Sequence, residues 1–448
     1  MSPSHPSSSG SGRRVVITGV GLVSPLGHAP EALLAALAAG QSGIGPLPHL
    51  ALDAYRTRVG GAVRDFQPRQ FIADAKALKL MTRPVRLGVA AVELAVRDAG
   101  LIQTQAGSPP EGLDPARIGC YVGSPGHAGD RDELLPALDL SYPANGHGGG
   151  LDLQAFGANG IATINPLWLL KSLANLVLYF VSLKLGAQGP NANICMSGAG
   201  GSMAIGEAFR AIRHDKADLA LAGGYESLLD EERLESFEPS GLLYLGDGPA
   251  AAASRPFDRA RAGFVAAEGG AFLVLEEEVH ARRRGARIYG EVRGYGSAST
   301  GLPGRPNESP EAFVGAMEAA LTDARLDPWD VGAIFAQGLA TDRSDRAEAR
   351  ALKQLLTARS AYTPVTAVKS MTGNLLAGSG PLEAIAALGS LAAKRPSPIP
   401  PILNCEHPDP ELGLDYVRGE ARAAAIRTIL TNAGGLGGTV VSLVLTQV

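Results

Sequence analysis

Cysteine is scarce in this chain of 448 residues, which has only Cys120, Cys195 and Cys405. They lie far apart, without a Cys-x-x-Cys pair and without the spacing of metal ligands. A disulfide framework needs paired cysteines, and a thiolate metal site needs clustered ones. The composition therefore predicts a protein of a reducing compartment, and we expect neither a metal nor another cofactor.

Long apolar runs and an excess of positive charge are also missing. The longest apolar stretch, residues 164–185, is interrupted by asparagine, proline and lysine, whereas a membrane span needs about 20 apolar residues. The formal net charge of −4 argues against a nucleic-acid partner. Residues 1–13 are rich in serine, proline and glycine and lack the features of a signal peptide. We expect a disordered leader there, no membrane partner and a cytoplasmic location.

Strand-like apolar runs alternate with helical patterns along the rest of the chain. Runs at 15–19 and 118–123 predict buried strands, and the alternation starts again beyond residue 310. This pattern predicts an α/β protein of two similar halves, residues 14–285 and 286–448. A single doubly wound sheet is the alternative.

Residues 193–206, NICMSGAGGSMAIG, have the form of a strand that turns into a helix. An enzyme that condenses acyl thioesters needs a thiolate at such a turn, because the helix N-terminus lowers the thiol pKa and backbone N–H groups stabilise the oxyanion. It also needs two imidazoles, which stabilise the enolate and the new carbonyl group.

Five motifs then occur in a consistent order. They are RRVVITGVGLVSPLG near the start, SRPFDRARAGFVAAEGG from 254, LEEEVHARRRGARIYGEVRGYG from 275, KSMTGNLLAGSGPLEAIAAL from 369 and NAGGLGGT from 432. With these motifs the chain resembles the β-ketoacyl-[acyl carrier protein] synthases of the thiolase superfamily from about Arg13 to its C-terminus. Only residues 124–164 fit poorly. The resemblance implies a thiolase-like fold, with two duplicated α/β halves in a layered αβαβα arrangement.

The nucleophile of that family lies in Thr-Ala-Cys, at fixed distances from a Gly-Pro turn and an Ile-Gly pair. Counting forward from Pro190 and back from Ile205 gives Gly198, which has no side chain. Cys195 lies three residues earlier, inside the expected strand. It is either a small buried apolar residue or a displaced nucleophile.

Both family histidines are replaced as well. Ala-His-Gly-Thr corresponds to AQGL, with Gln337 at the first histidine, and Lys-Ser-Met-Thr-Gly-His to KSMTGN, with Asn374 at the second. Amides donate hydrogen bonds but do not titrate near neutrality. Lys369 and Glu383 match the active-site lysine and its supporting glutamate, and we expect them to form a buried ion pair that orders the loop. No catalytic residue is expected.

The C-terminal loop differs from the family in a related way. The family has Asn-x-Phe-Gly-Phe-Gly-Gly, in which the phenylalanines gate the pocket, whereas residues 432–438 read NAGGLGG. Both aromatic gates are absent, and Leu436 becomes a candidate tunnel residue.

A retained frame with three lost catalytic positions is similar to the chain-length factor of type II polyketide systems. The resemblance implies a non-catalytic subunit that forms a heterodimer with an active ketosynthase, shapes the acyl tunnel and works with acyl carrier protein. Many chain-length factors have glutamine where this chain has Gly198, and inactive partners of aryl-polyene pathways fit equally well. The alternatives are an active synthase or acyltransferase that uses Cys195, and a homodimeric acyl-binding protein.

Two surfaces follow from the resemblance. Residues 166–185 align with the stretch that crosses the dimer interface, and ordinary core packing is the alternative. Our candidates for tunnel length are Trp168, Leu169, Leu170 and Leu173. The resemblance also implies carrier docking at Lys76, Lys79, Arg83 and Arg86, where family members present a basic face to the acidic carrier protein. Helical spacing places several of these cations on one surface, and docking by the partner ketosynthase alone is the alternative.

Overall fold

The computed structural model describes residues 12–47, 56–101, 108–126, 131–142, 150–300, 309–392 and 397–448. The predicted leader lies outside these residues, except for Gly12 and Arg13. The Arg13 guanidinium donates to the carbonyl oxygens of Ile212 and Ala217, at 3.2 and 2.9 Å. The fold is therefore anchored from this residue onward.

The strands are β1 (Val15–Val23), β2 (Gly45–Pro46), β3 (Val59–Gly60), β4 (Ile118–Gly123), β5 (Asn191–Ile194), β6 (Leu219–Ser227), β7 (Glu268–Glu277), β8 (Gly290–Ser299), β9 (Ala333–Phe335), β10 (Pro364–Thr366), β11 (Ser397–Ile399), β12 (Asp415–Tyr416), β13 (Arg422–Ala424), β14 (Thr428–Gly434) and β15 (Thr439–Thr446). Eleven of these described strands form one mixed sheet in the order β12-β10-β9-β14-β15-β8-β1-β7-β6-β4-β5. The remaining four pair as β2 with β3 and β11 with β13.

The order of the large sheet repeats about its centre, where β1 and β8 pair antiparallel. Outward from β1 come β7, β6, β4 and β5, and outward from β8 come β15, β14, β9 and β10. In each series the first two pairings are antiparallel and the next two parallel. This repeat is the pattern expected of two similar halves, and it rules out a single doubly wound sheet. The boundary between 285 and 286 stays a prediction.

The helices are α1 (Pro30–Ala38), α2 (Arg83–Asp98), α3 (Leu135–Asp139), α4 (Leu153–Ala155), α5 (Trp168–Lys171), α6 (Leu176–Leu185), α7 (Gly200–Arg213), α8 (Glu231–Phe237), α9 (Glu278–Arg283), α10 (Pro310–Ala324), α11 (Asp342–Leu356), α12 (Lys369–Thr372) and α13 (Ser379–Ala392). Within the described ranges, no helix combines the length and the apolar character that a bilayer span requires.

Two of these helices form the central layer of the molecule. Helix α7 packs on β6 and β8, and α13 packs on β7 and β14, so that each contacts strands of both halves. Helix α2 covers the outer side of β1 and β7, and α10 covers β8 and β15. The predicted αβαβα layering is therefore present, and the N-termini of both central helices lie deep inside it.

Close contact between α2 and β1 depends on small residues. A Cβ atom at Gly21 would lie 2.2 Å from the carbonyl oxygen of Ala91 and 2.2 Å from the amide nitrogen of Ala95. Both contacts involve helix backbone, which cannot rotate away as a side chain does. Glycine at this strand position thus lets the buried face of α2 reach the sheet.

We expect Gly21→Ala to lower the free energy of unfolding by about 1–3 kcal/mol, the usual cost of overpacking a core. Urea denaturation followed by circular dichroism measures this change. Gly157→Ala is the matched control, because no atom lies within 4 Å of a Cβ atom at Gly157. Equal stability of the two variants would contradict the proposed close contact.

Candidate functional site

The predicted nucleophile position lies at the entrance to the central helix α7. Gly198 is buried in a single helical turn, Ser197–Ala199, that leads directly into the helix. Ser197 has a φ of 50°, a left-handed conformation that is unusual for a residue with a side chain. The Ser197 Oγ is buried, and no described residue is its hydrogen-bond partner. The strand-to-helix turn predicted from the sequence is thus present, and position 198 carries no thiol.

The C-terminal loop fills the space that a side chain at position 198 would need. A Cβ atom at Gly198 would lie 2.3 Å from the carbonyl oxygen of Gly434. In the same contact, a Cβ atom at Gly435 would lie 2.6 Å from the carbonyl oxygen of Met196. Two glycine backbones therefore pack directly against each other, and a side chain at position 198 would require this backbone contact to shift.

Gln337 lies in a buried loop whose backbone is held by two carboxylates of α11. The Glu348 carboxylate accepts from the amide nitrogens of Gln337 and Gly338, at 2.9 and 3.0 Å. Asp345 accepts from the Ala340 amide nitrogen at 3.0 Å. Burial raises the pKa of Asp345 to about 7, although the amide donors oppose that shift. The Gln337 Oε1 atom is buried, and no partner is described for it.

This clamp was not predicted from the sequence. An Asp-x-x-Glu pair at the start of the helix that follows a buried loop is the signal that could have found it, since both carboxylates then face the same loop.

Asn374 is 3% exposed, and its amide oxygen serves the local fold. Its Oδ1 accepts from the Leu376 amide nitrogen at 3.1 Å and from the Ser379 hydroxyl at 3.2 Å. The Ser379 hydroxyl in turn accepts from the Leu375 amide nitrogen at 2.8 Å. This network shapes the turn that leads into α13, which is a structural task that an imidazole at this position would not perform in the same way.

Lys369 and Glu383 meet in the buried core, as the sequence predicts. The Lys369 Nζ donates to the Glu383 carboxylate and to the carbonyl oxygen of Gln337, the latter at 2.8 Å. Burial raises the pKa of Glu383 to about 7, and the Lys369 charge opposes the shift. The pair connects α12, α13 and the Gln337 loop, which suits the ordering role expected of it.

We expect Lys369→Met to destabilise the protein by about 3–5 kcal/mol, because it leaves the Glu383 charge buried without its partner. The double variant Lys369→Met/Glu383→Leu should recover most of this loss, since it removes both buried charges. Thermal and urea unfolding of the two variants measure these changes in stability. A double variant as unstable as the single one would show that the pair is needed as such.

Cys195 differs from its expected place. The strand β5 ends at Ile194, so that Cys195 follows it and is exposed, not buried in the strand. The Asn193 amide donates to the Cys195 Sγ at 3.4 Å, and the Ser124 hydroxyl lies 3.5 Å from this atom. The interpretation of Cys195 as a buried apolar residue is therefore wrong. In contrast, burial raises the pKa of the Cys120 and Cys405 thiols to about 12.

A cavity of about 390 Å³ opens beside Cys195. One side is formed by Cys195, Ser197 and the segment 124–126, and Leu376 and Leu436 contribute an apolar part of the wall. The structure thus brings Leu436 to the region of the predicted site. No set of three or more metal-ligating side chains is grouped in the part of the chain that the structure describes.

The other predicted tunnel residues lie on the surface, away from this cavity. Leu169, Leu170 and Leu173 are 70%, 40% and 42% exposed, and Trp168 is half-buried. On α6, Tyr179 and Leu183 lie one helical turn apart and are also exposed, at 55% and 56%. We call this surface, formed by Leu169, Leu170, Leu173, Tyr179 and Leu183, the apolar ridge. Its exposure does not fit the alternative that these residues are ordinary core.

The four basic residues proposed for carrier docking fall into two groups. Lys76 and Lys79 are exposed. The Arg83 guanidinium donates to Glu268 at 2.7 Å and to the Val63 carbonyl oxygen at 3.0 Å. The Arg86 guanidinium donates to the carbonyl oxygen of Leu78 at 3.2 Å. Both arginines therefore form hydrogen bonds within the chain, whatever contact they make with a carrier protein.

Comparison with known proteins identifies the family. The family model for the N-terminal domain of beta-ketoacyl synthase matches residues 12–281, and the model for its C-terminal domain matches residues 289–406. The chain belongs to the β-ketoacyl synthase family.

The similarity extends over nearly the whole chain. 3-Oxoacyl-[acyl-carrier-protein] synthase 2 of Coxiella burnetii is 34% identical over 437 residues, which cover 97% of this chain and 99% of the relative. The ishigamide ketosynthase/chain length factor structure is 27% identical with a TM-score of 0.84, and the match covers 98% of this chain and 100% of that chain. A type II PKS acyl-carrier protein in complex with its ketosynthase bound to the hexaketide gives 27% identity, a TM-score of 0.81 and coverage of 98% and 100%. The predicted family and thiolase-like fold are confirmed.

We expect Gly198→Cys to gain no acyl-transfer activity and to lose about 1–3 kcal/mol of stability, because its Cβ atom meets the Gly434 carbonyl oxygen. Incubation with carrier protein that bears a radiolabelled malonyl or acyl group measures acyl transfer, and thermal unfolding measures the change in stability. Ser197→Cys is the control, since position 197 already holds a side chain. Acyl labelling of a Gly198→Cys protein with unchanged stability would contradict this account.

Proposed function

We propose that this chain is a non-catalytic ketosynthase-like subunit that pairs with an active ketosynthase and shapes its acyl tunnel, as a chain-length factor does. The observation that carries the proposal is the contact between Gly198 and the Gly434 carbonyl oxygen. Where the family places its nucleophile, this chain has backbone packed against backbone. An acyl group has no atom to bind there.

The other two catalytic positions support the same conclusion. Condensation uses imidazoles to stabilise an enolate and a carbonyl oxygen, and a neutral amide carries no positive charge for this purpose. Asn374 already uses its amide oxygen in the turn before α13. The loop of Gln337 is held in place by Glu348 and Lys369, and it contains no imidazole. A fold of this family without the thiol and the two imidazoles at these positions favours a role that depends on the shape of the subunit.

The surface offers a place for a partner of the same fold. The edge strand β5 pairs with β4 on one side, and within the described residues no strand lies on its other side. Open strand edges and exposed apolar patches both favour association. The apolar ridge provides such a patch on α5 and α6. A ketosynthase that presents the corresponding edge and patch would complete the sheet and cover the ridge across a pseudo-twofold axis.

Acyl carrier protein is the second partner that we propose. A structural neighbour of this chain is a ketosynthase in complex with its acyl-carrier protein. Lys76 and Lys79 are the better candidates for contact with an acidic carrier here, because Arg83 and Arg86 are already hydrogen-bonded within the chain. The active ketosynthase partner would supply the chemistry. We also propose that the pair acts in the cytoplasm.

We expect this chain to co-purify with the ketosynthase encoded in the same genome that retains Thr-Ala-Cys and both histidines. Leu169→Asp/Leu170→Asp should weaken that complex by about tenfold or more, because it places charges in an apolar interface. Size-exclusion chromatography and calorimetry measure the loss. Val279→Asp is the control, since Val279 is an apolar residue that is 60% exposed on a different helix, α9.

If the chain forms a stable homodimer and does not bind the ketosynthase on co-expression, the proposed pairing is wrong. That result would favour a homodimeric acyl-binding protein. If the double aspartate variant binds as tightly as the wild type, the apolar ridge is not the interface.

A second candidate function is an active β-ketoacyl synthase or acyltransferase that uses Cys195. Relatives named as 3-oxoacyl-[acyl-carrier-protein] synthases support it directly, and so does the exposure of Cys195 at the cavity. Incubation with carrier protein that bears a radiolabelled acyl group distinguishes the two functions. Cys195→Ala is the test variant, and Cys120→Ala, which removes a buried thiol, is its control. Label that is lost only with Cys195→Ala would establish the second candidate and refute a non-catalytic subunit.

A further inference from the structure

A second cavity, of about 310 Å³, lies between the helices α1 and α13. Leu34 and Leu37 of α1 contribute one part of its lining, and Ile385 and Leu388 of α13 contribute another, together with Val20 of β1. Among the described residues, it shares none of its lining with the cavity beside the strand-to-helix turn. Hydrocarbon side chains from three elements therefore surround a space that is separate from the candidate site.

The polar side chains within this lining already have partners in the chain. The Tyr289 hydroxyl donates to the Asp98 carboxylate at 2.8 Å, and the same carboxylate accepts from the Val20 amide nitrogen at 2.8 Å. The Ser390 hydroxyl donates to the carbonyl oxygen of Pro398 at 2.7 Å. These groups consequently have their hydrogen bonds without a ligand.

The prolines and the charged residues of the lining leave the interior apolar. Pro398 and Pro400 have no backbone N–H group, and the Pro400 carbonyl oxygen accepts from the Thr366 hydroxyl at 2.7 Å. The charged residues, Glu31 and Arg287, are exposed and thus lie toward the solvent. A buried water molecule typically makes about three hydrogen bonds, which this interior is poorly suited to provide. The interior therefore favours an apolar ligand over water.

The volume of the cavity indicates the size of such a ligand. A protein cavity of about 150 Å³ that is lined by leucine, isoleucine and phenylalanine binds benzene. The cavity between α1 and α13 is about twice as large, and it reaches the lower end of the range of small-molecule sites, about 300 Å³. A hydrocarbon of two fused rings matches this space, and its transfer from water is favourable by about 25 cal/mol per Å² of buried apolar surface.

We propose that the cavity between α1 and α13 is a binding site for a compact apolar molecule of about the size of naphthalene. The hydrocarbon lining and the internal hydrogen bonds of its polar groups carry this inference. It goes beyond the proposed function, because the lining includes neither the turn of Gly198 nor the apolar ridge. Its test uses ligand binding to the purified chain, whereas the pairing is tested by complex formation, so that either can fail without the other.

Fluorine NMR of 1-fluoronaphthalene in the presence of the purified full-length chain tests the site, and the wild type should bind this probe saturably. Ala386→Leu should weaken binding at least about tenfold, because Ala386 is a lining residue, 1% exposed, and the added carbon atoms take up space that the probe needs. Ala38→Leu adds the same bulk at an exposed lining position of α1 and should also weaken binding.

Ala35→Leu is the matched control, because it makes the same exchange at an exposed position of α1 outside the lining. It should bind the probe as the wild type does. Circular dichroism and thermal unfolding establish which variants are folded, and Ala38→Leu decides the result if Ala386→Leu does not fold. The proposal is overturned if the wild type shows no saturable binding or if no folded lining variant weakens it. An equal loss in Ala35→Leu would overturn it as well.

Discussion

The structure depends on the close contact of two buried helices at their N-termini. A Cβ atom at Gly201, in the first turn of α7, would lie 2.1 Å from the carbonyl oxygen of Ala377, in the short turn Leu376–Gly378 that leads into α13. A Cβ atom at Gly380, in the first turn of α13, would lie 2.0 Å from the hydroxyl of Ser202. Each helix also contacts strands of both halves. Glycine at this crossing therefore lets the two helices approach each other between the two halves of the sheet and brings the turns of Gly198 and Asn374 close together.

Around that crossing, the groups that stabilise the fold are distinct from those that would perform chemistry. Lys369 holds the carbonyl group of the Gln337 loop, and Glu348 holds its amide groups. Asn432 donates to Glu348 at 3.0 Å and accepts from Ser442 at 2.7 Å, which extends the network into β14 and β15. None of these contacts requires a thiol or an imidazole. Because the scaffold is self-supporting, the reactive groups can be absent while the loops keep their positions.

Much of the fold and the location of the site could be predicted from the sequence, because motif spacing along the chain fixes which residue follows which strand. Gly198, Gln337 and Asn374 were assigned from the resemblance to the family's motifs, not from secondary-structure pattern. The contact of Gly198 with Gly434 could not be predicted, because two backbones that meet across the fold leave no periodic pattern in either segment. The exposure of Cys195 depends on where β5 ends, and strand ends are poorly determined by local preference. Arg83 donates to Glu268, and this contact could not be predicted because nothing in the sequence around either residue identifies the other as its partner.

The seat of the Gly434 carbonyl on Gly198 also has an evolutionary consequence. A thiol at this position needs space that the Gly434 carbonyl group occupies, and the C-terminal loop can withdraw only if the contact of Gly435 with Met196 changes too. Either change alone disturbs the packing, since a thiol without space strains the turn and a withdrawn loop without a thiol leaves a void. Packing therefore opposes a thiol at position 198, and no single substitution supplies both the side chain and the space for it.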